Sequence, residues 1–309
     1  MEKTLWIKGC NGLGNRLLVL EKTLRLAAKY SSAVYIDWTD DVFSLSSATF
    51  RKYFKLIQIN EVERPNYSNF RAPYPKHRAL FETSNVFEIG TFRPFLHFIP
   101  ASIGIWRRVS KLKHRFRLHN ECRTLCFNAD AIESKIANSS NDLICILSEI
   151  PLHEPEIFRH IQLNGAEIKS LSRKYNVASQ DFDIAIHVRD TDKASPQRKS
   201  LHKILNHLAS PGEVLTVYLA TDNQIIIQEL TEKFGQSFQF SFPEFERNGR
   251  PLHLNQDTEG QKIAFESAII DLYHLATANT ILFQENSSFS RVAISLSSPN
   301  TKRIAWSTL

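Results

Sequence analysis

The chain is poor in glycine, with 10 in 309 residues, about half of what ordinary usage near 7% would supply. Any cluster of glycines is therefore a signal. Cysteine is rarer still, and Cys10, Cys122, Cys126 and Cys145 are too sparse for the disulfide framework of a small secreted domain. Only Cys122 and Cys126 lie close together. With His114 and His119 as the near partners, their spacing favours reduced thiols over a zinc site. No stretch reaches the roughly 18–20 uninterrupted apolar residues of a membrane span, and the opening MEKTLWIKGCNG lacks a long apolar signal region. A cytoplasmic protein is expected. The sequence has no internal repeat and no low-complexity segment, and its composition, 42% hydrophobic and 23% charged, excludes disorder and fibrous classes.

What is present is a basic balance. A net charge of +6 and a pI near 9.1 bias the chain toward anionic partners: phosphates, nucleotide-activated substrates, nucleic acid or an anionic membrane face. The densest segment, WRRVSKLKHRFRLHNECR at 106–123, carries seven Lys/Arg against one Glu. Its plainest reading is a solvated helix or loop. The functional reading is peripheral attachment to anionic lipid or docking of a charged acceptor, because aromatics interleave with the basic residues. No nucleic-acid motif accompanies the charge, so no nucleic-acid partner is expected.

Periodicity predicts an α/β protein. Residues 4–8 (TLWIK) read as a strand, Gly9–Gly14 as a turn, 15–30 as a helix with leucines and alanines at helical spacing, and 31–38 (SSAVYIDW) as a second strand. This is the opening of a Rossmann-like half. Residues 39–78 are mixed and aromatic and end in the proline-broken RAPYPKHR, and residues 91–108 are rich in Phe and Pro without a clear period. Residues 142–150 (DLICILSEI) read as a buried strand and 157–176 as helical segments. A second alternation of strands and helices then starts at residue 183 and runs to the serine-rich helix start at 287. Two halves joined near 160–182 fit best, with an N-terminal domain at 1–170 and a C-terminal domain at 171–309.

Four constellations carry chemistry. In Lys8–Arg16 the glycines Gly9, Gly12 and Gly14 form a strand-to-helix turn whose backbone can approach a phosphate. Gly12, Gly14 and Asn15 are its candidate binding residues. The third glycine of a dinucleotide fingerprint is missing, since position 17 is Leu. In DIAIHVRDTDK (183–193) polar residues leave a buried strand where α/β sheets open their crevice. Arg189 offers a planar fork suited to a diphosphate. Asp190, Asp192 and Lys193 are candidates for acceptor contact, proton removal or leaving-group stabilisation, unless the run is a surface turn of paired charges with His187 in the core. Asp222 in YLATDN marks a second strand end. Asp271 lies on an otherwise apolar helix, where a carboxyl group needs a partner. Ser287, Ser288 and Ser290 follow the next strand, either as an ordinary cap or as a further phosphate cradle.

Taken together, the glycine turn with NRL, AVYIDW, IAIHVRDTDK, VYLATDN, and IIDLYHLA followed by SSFSRVA resemble the nodulation-protein (NodZ-like) and core-type α-1,6-fucosyltransferases. The resemblance runs from about residue 5 to 305 and is strongest over 183–193 and 268–293. It implies a GT-B-like fold, two Rossmann-like halves facing a central cleft, with the acceptor on the N-terminal side and the donor on the C-terminal side. It also implies an inverting transfer from GDP-fucose without a divalent metal or other cofactor. On the matching positions, Arg189 would hold the β-phosphate, His187 would line the donor pocket, Asp271 would read the guanine edge, Ser287 would sit near the diphosphate and Asp222 beside the nucleotide. Lys193 and Ser288 join them as donor-site candidates. The chain departs from the pattern twice. Arg189-Asp190 replaces two successive arginines, and Gln197 replaces the glutamate presumed to be the general base. Asp190, Asp192 and Glu259 are the alternatives, with Asp192 preferred.

The expected activity is transfer of fucose from GDP-fucose to a hydroxyl of a cell-surface glycan precursor, as in polysaccharide or lipopolysaccharide biosynthesis. Two alternatives stay open. One is a nucleotide- or glycan-binding protein on the same fold without turnover, and the other is a transferase using a different activated donor.

Overall fold

The structure is a computed structural model that describes residues 3–8, 12–38, 47–62, 86–89, 133, 137, 143–147, 158–178, 180–189, 198–209, 212–244 and 258–306. The chain opens with strand β1 (Thr4–Lys8), helix α1 (Leu13–Lys29), β2 (Ala33–Asp37), α2 (Ser47–Tyr53), β3 (Phe54–Leu56), β4 (Val86–Ile89) and β5 (Leu143–Leu147). It continues with β6 (Ile161–Leu163), α3 (Gly165–Lys174), β7 (Ile184–Val188), α4 (Arg198–Leu208), β8 (Leu215–Thr221) and α5 (Gln224–Phe234). Last come β9 (Phe238–Ser241), α6 (Thr258–Thr277), β10 (Thr280–Phe283), α7 (Ser288–Leu296) and β11 (Lys302–Ala305). Two compact units result: Met1–Asp40, Leu45–Ser47 and Leu56–Leu152 form the first, and Asp41–Ser44, Ala48–Lys55 and His153–Leu309 the second.

In the first unit the sheet runs β2-β1-β5-β4 with every neighbouring pair parallel. Helix α1 buries Leu13, Leu17, Leu20, Leu24 and Ala27, a spacing of three or four residues that keeps one stripe inward. The Trp6 indole donates to Asp37 at 3.2 Å, which partners a buried carboxyl group on the neighbouring strand.

In the second unit five parallel strands are ordered β11-β10-β7-β8-β9. Every residue of the central strand β7 is buried, as a parallel strand covered on both faces requires. On one face Ile184, Ile186 and Val188 meet Leu201 and Leu205 of α4 and Ile226, Leu230 and Phe234 of α5. The other face lies under α6 and α7, and α6 also packs against α3. Covered on several sides, α6 is apolar nearly all round: Ala264, Phe265, Ile269, Ile270, Leu272, Leu275 and Ala276 are all buried.

From β7 the chain winds outward through β8 to β9, then returns to place β10 on the opposite side of β7. The reversal makes the carboxyl ends of β7 and β10 the topological switch point, where an open α/β sheet forms its crevice.

The structure revises one reading. Residues 157–176 are not helical throughout, because Ile161–Leu163 forms β6 and pairs with β3 before Gly165 opens α3. The short elements α2, β3, β4 and β11 had no counterpart in the periodic pattern.

Candidate phosphate-binding crevice

Val188, the last residue of β7, pairs with Thr221, the last residue of β8, so Arg189 and Asp222 leave the sheet at the same level. The turn after β8 is fixed locally. Asn223 caps α5 by accepting from the Ile225 N–H at 2.9 Å, and its own N–H donates to the Thr221 hydroxyl at 3.3 Å. On the other side of β7, pairing with β10 ends at Ile186 opposite Leu282. Past that point the side chain of Gln284 spans the seam. Its Oε1 accepts from the Arg189 N–H at 2.7 Å, and its Nε2 donates to the Arg189 carbonyl at 3.4 Å.

Helix α7 starts at the same edge. Ser287 is its N-cap, and the side-chain oxygen accepts from the Ser290 N–H at 3.4 Å. Its first turn holds no acidic residue, so the helix N-terminus keeps its partial positive charge, a setting suited to an anion. The Ser290 hydroxyl lies 2.7 Å from His187 Nδ1, and the Phe289 ring centroid 5.3 Å from the imidazole. From the opposite face the Trp306 indole donates to the His187 carbonyl at 3.1 Å. Burial pushes the His187 pKa down to about 3, helped by the positive charge of Arg189. At neutral pH the imidazole is uncharged, and Arg189 supplies the formal charge at this strand end.

Asp271 is buried on α6, and its partner is the Tyr218 hydroxyl of β8, which donates to Oδ1 at 2.6 Å. This bond answers the question its sequence position raised. One turn along, His274 packs its ring 4.6 Å from that of Tyr218 and edge-on to Phe182 at 5.1 Å. Its Nε2 lies 3.0 Å from the Ser172 hydroxyl of α3. Burial, with a smaller contribution from Lys169, lowers the His274 pKa to about 3.

The structure thus brings His187, Arg189, Asp222, Ser287 and Ser288 to one edge of the second sheet and sets Asp271 under its α6 face. Gly12, Gly14 and Asn15 stand at the start of α1 in the first unit, where Gly12 is an N-cap without a side chain to cap with. Close by in sequence, Arg16 is buried with its guanidinium 5.9 Å from the Trp38 ring centroid. Asp190, Asp192, Lys193 and Gln197 lie outside the described residues, as do the side chain of Glu259, Cys10, Cys122, Cys126 and the basic segment 106–123. Among the described residues no group of three His, Cys, Asp or Glu side chains is placed to hold a metal, and no helix is long and apolar enough to cross a membrane. Sequence reasoning missed Gln284, Tyr218 and Trp306. A glutamine directly after a buried parallel strand was the one available signal.

No protein-family model and no curated protein matches the chain. Solved structures do. A NodZ alpha-1,6-fucosyltransferase soaked with GDP-fucose is 20% identical with a TM-score of 0.55, covering 96% of this chain and 93% of its own. A mutant of Arabidopsis thaliana FUT1 in complex with GDP is 14% identical with a TM-score of 0.52, covering 96% of this chain and 68% of its own. POFUT1 in complex with GDP-fucose is 11% identical with a TM-score of 0.51, covering 98% of this chain and 97% of its own. The chain has the fold of these GT-B fucosyltransferases, as its motifs led us to expect.

Proposed function

We propose that the chain is a fucosyltransferase that takes GDP-fucose as donor and transfers fucose to a hydroxyl of a cell-surface glycan precursor. The observation that carries this reading is the meeting of Arg189 and the Ser287-capped helix α7 at the switch point, in a fold whose solved members include complexes with GDP and GDP-fucose.

In this reading the acceptor oxygen bonds to the anomeric carbon while the bond from that carbon to the β-phosphate oxygen breaks. GDP leaves with the electron pair, and a base takes the hydroxyl proton. A single displacement of this kind inverts the anomeric centre. Arg189 and the N-terminus of α7 stabilise charge growing on the diphosphate, a burden protein groups can bear without a metal. His187, neutral and fixed by Ser290, shapes the pocket beside Arg189, with Ser288, Asp222 and Lys193 around the nucleotide. Asp271, oriented by Tyr218, accepts from N1–H and the exocyclic amine of guanine. Asp192 is the proposed base. The N-terminal domain, 1–170, faces the acceptor and the C-terminal domain, 171–309, holds the donor. The protein works in the cytoplasm, with 106–123 the segment that would meet an anionic membrane surface.

A thermal-shift panel of GDP, UDP, ADP and CMP, with and without magnesium, tests the donor assignment. Stabilisation selective for GDP and indifferent to magnesium is expected; selectivity for UDP or CMP overturns it. The second reading, a nucleotide-binding protein without turnover, is favoured by Gln197 at the position of the family glutamate. Release of fucose from GDP-fucose in the absence of acceptor separates the two.

A further inference from the structure

Gln284 stands where the sheet stops. Pairing between β7 and β10 runs through Ile184–Thr280, Ala185–Ile281 and Ile186–Leu282, and then ends. A crevice at the switch point needs the strands to part here, and parting leaves main-chain donors and acceptors at a widening seam. In an extended residue the N–H and C=O project to the same side, and a primary amide presents a carbonyl and an N–H along one edge. The Gln284 amide meets both groups of Arg189 in this way, at 2.7 and 3.4 Å. Its own burial, 4% exposed, makes the arrangement decisive, because a buried amide without partners is destabilising.

We propose that Gln284 is a positioning residue for Arg189. Its side chain replaces the missing strand pairing and holds the Arg189 backbone, so that the guanidinium is aimed before the donor arrives. The proposal rests on the reading that Arg189 holds the diphosphate. Preorganisation of this kind matters because fixing a backbone residue costs conformational entropy, and a clamp free to swing would incur that cost at each binding event.

The test is Gln284→Met, which fills a similar volume without the amide. Hydrogen exchange needs no ligand: the Arg189 amide should exchange at least tenfold faster in the variant while Ile184–Val188 keep their protection. Unchanged exchange at Arg189, or loss of protection throughout β7, overturns the proposal. The kcat/KM for GDP-fucose should fall by about 10- to 100-fold, the scale expected for a misplaced clamp. A cycle of GDP affinities then separates aiming from general support. Gln284→Met should weaken GDP binding in the wild-type background and add nothing in Arg189→Ala; additive losses overturn the proposal. Should Gln284→Met melt well below the wild type, Gln284→Glu takes its place, keeping the acceptor for the Arg189 N–H and losing the donor. An intermediate loss of GDP affinity with slow Arg189 exchange supports the role, and wild-type affinity refutes it. A wild-type protein that fails to bind GDP would instead sink the donor assignment, leaving the exchange result to judge the tie itself.

Discussion

The second unit carries two buried polar groups, and they are built on different plans. At the strand exits, Gln284 grips the main chain of Arg189, Ser287 caps a helix, and the main chain of His187 is held by Trp306. Deeper in, Tyr218, Asp271, His274 and Ser172 are joined side chain to side chain among aromatic rings. The first group spends its bonds on placing backbone at an edge. The second pairs polar side chains inside a core, the Tyr218 hydroxyl with Asp271 and the Ser172 hydroxyl with His274 Nε2. Loss of the Arg189 side chain should therefore cost function with little stability, whereas truncations in the core should touch both.

Arg189→Ala presses hardest on that distinction. Half-buried at the sheet edge, Arg189 adds little to the core, so the variant should melt close to the wild type. Turnover of GDP-fucose should fall by about 10^3-fold, the scale seen when a donor to developing charge is removed. Arg189→Lys should recover little, because lysine lacks the planar fork that can engage two phosphate oxygens. Steady-state rates alongside thermal melts decide the matter, and full activity in Arg189→Ala would refute the crevice as the donor site.

Much of this edge was legible in the sequence. IAIHV, VYLAT and TILF are continuous apolar runs between helical periods, and parallel strands covered on both faces have that signature. The requirement for a partner at Asp271 was legible too, since a carboxyl group on an apolar helix demands one. The partner itself was not, because Tyr218 reads as a strand residue and sits 53 positions away. Strand β11 was hidden by Lys302 and Arg303, which resemble a loop but belong on a sheet edge. The short β3 and β6 carry too few residues to show a period, and only their mutual pairing defines them. Gln284 required the register: a glutamine after a strand means little until pairing is seen to stop two residues before it.

Asp271→Asn sharpens the comparison from the core side. The asparagine Oδ1 can still accept from the Tyr218 hydroxyl, so packing should survive. What changes is recognition: one oxygen that could accept from guanine becomes a donor facing a donor. Preference for GDP over ADP should shrink by about 10- to 100-fold, the range for a mismatched hydrogen bond in a buried site. Competitive binding of the two nucleotides measures it. An unchanged preference would make Asp271 a core residue only, and the base-reading assignment would be lost.

The smallest effect concerns protons. His187 and His274 both have pKa values lowered to about 3 by burial, against an unperturbed 6.5. In the folded protein each stays neutral down to that range, while in the unfolded chain each takes up a proton as pH falls through about 6.5. The unfolded state therefore binds more protons between these limits, and stability must decline as pH drops from neutrality, by up to about 1.4 kcal/mol per pH unit for each histidine. Urea midpoints at intervals from pH 7 to pH 5 should trace this slope in the wild type. His274→Gln removes one of the two protons and should flatten the slope by that share, whatever it does to stability at pH 7. Parallel slopes would mean that His274 takes up its proton in the folded state, against its burial among Phe182, Tyr218 and Ser172.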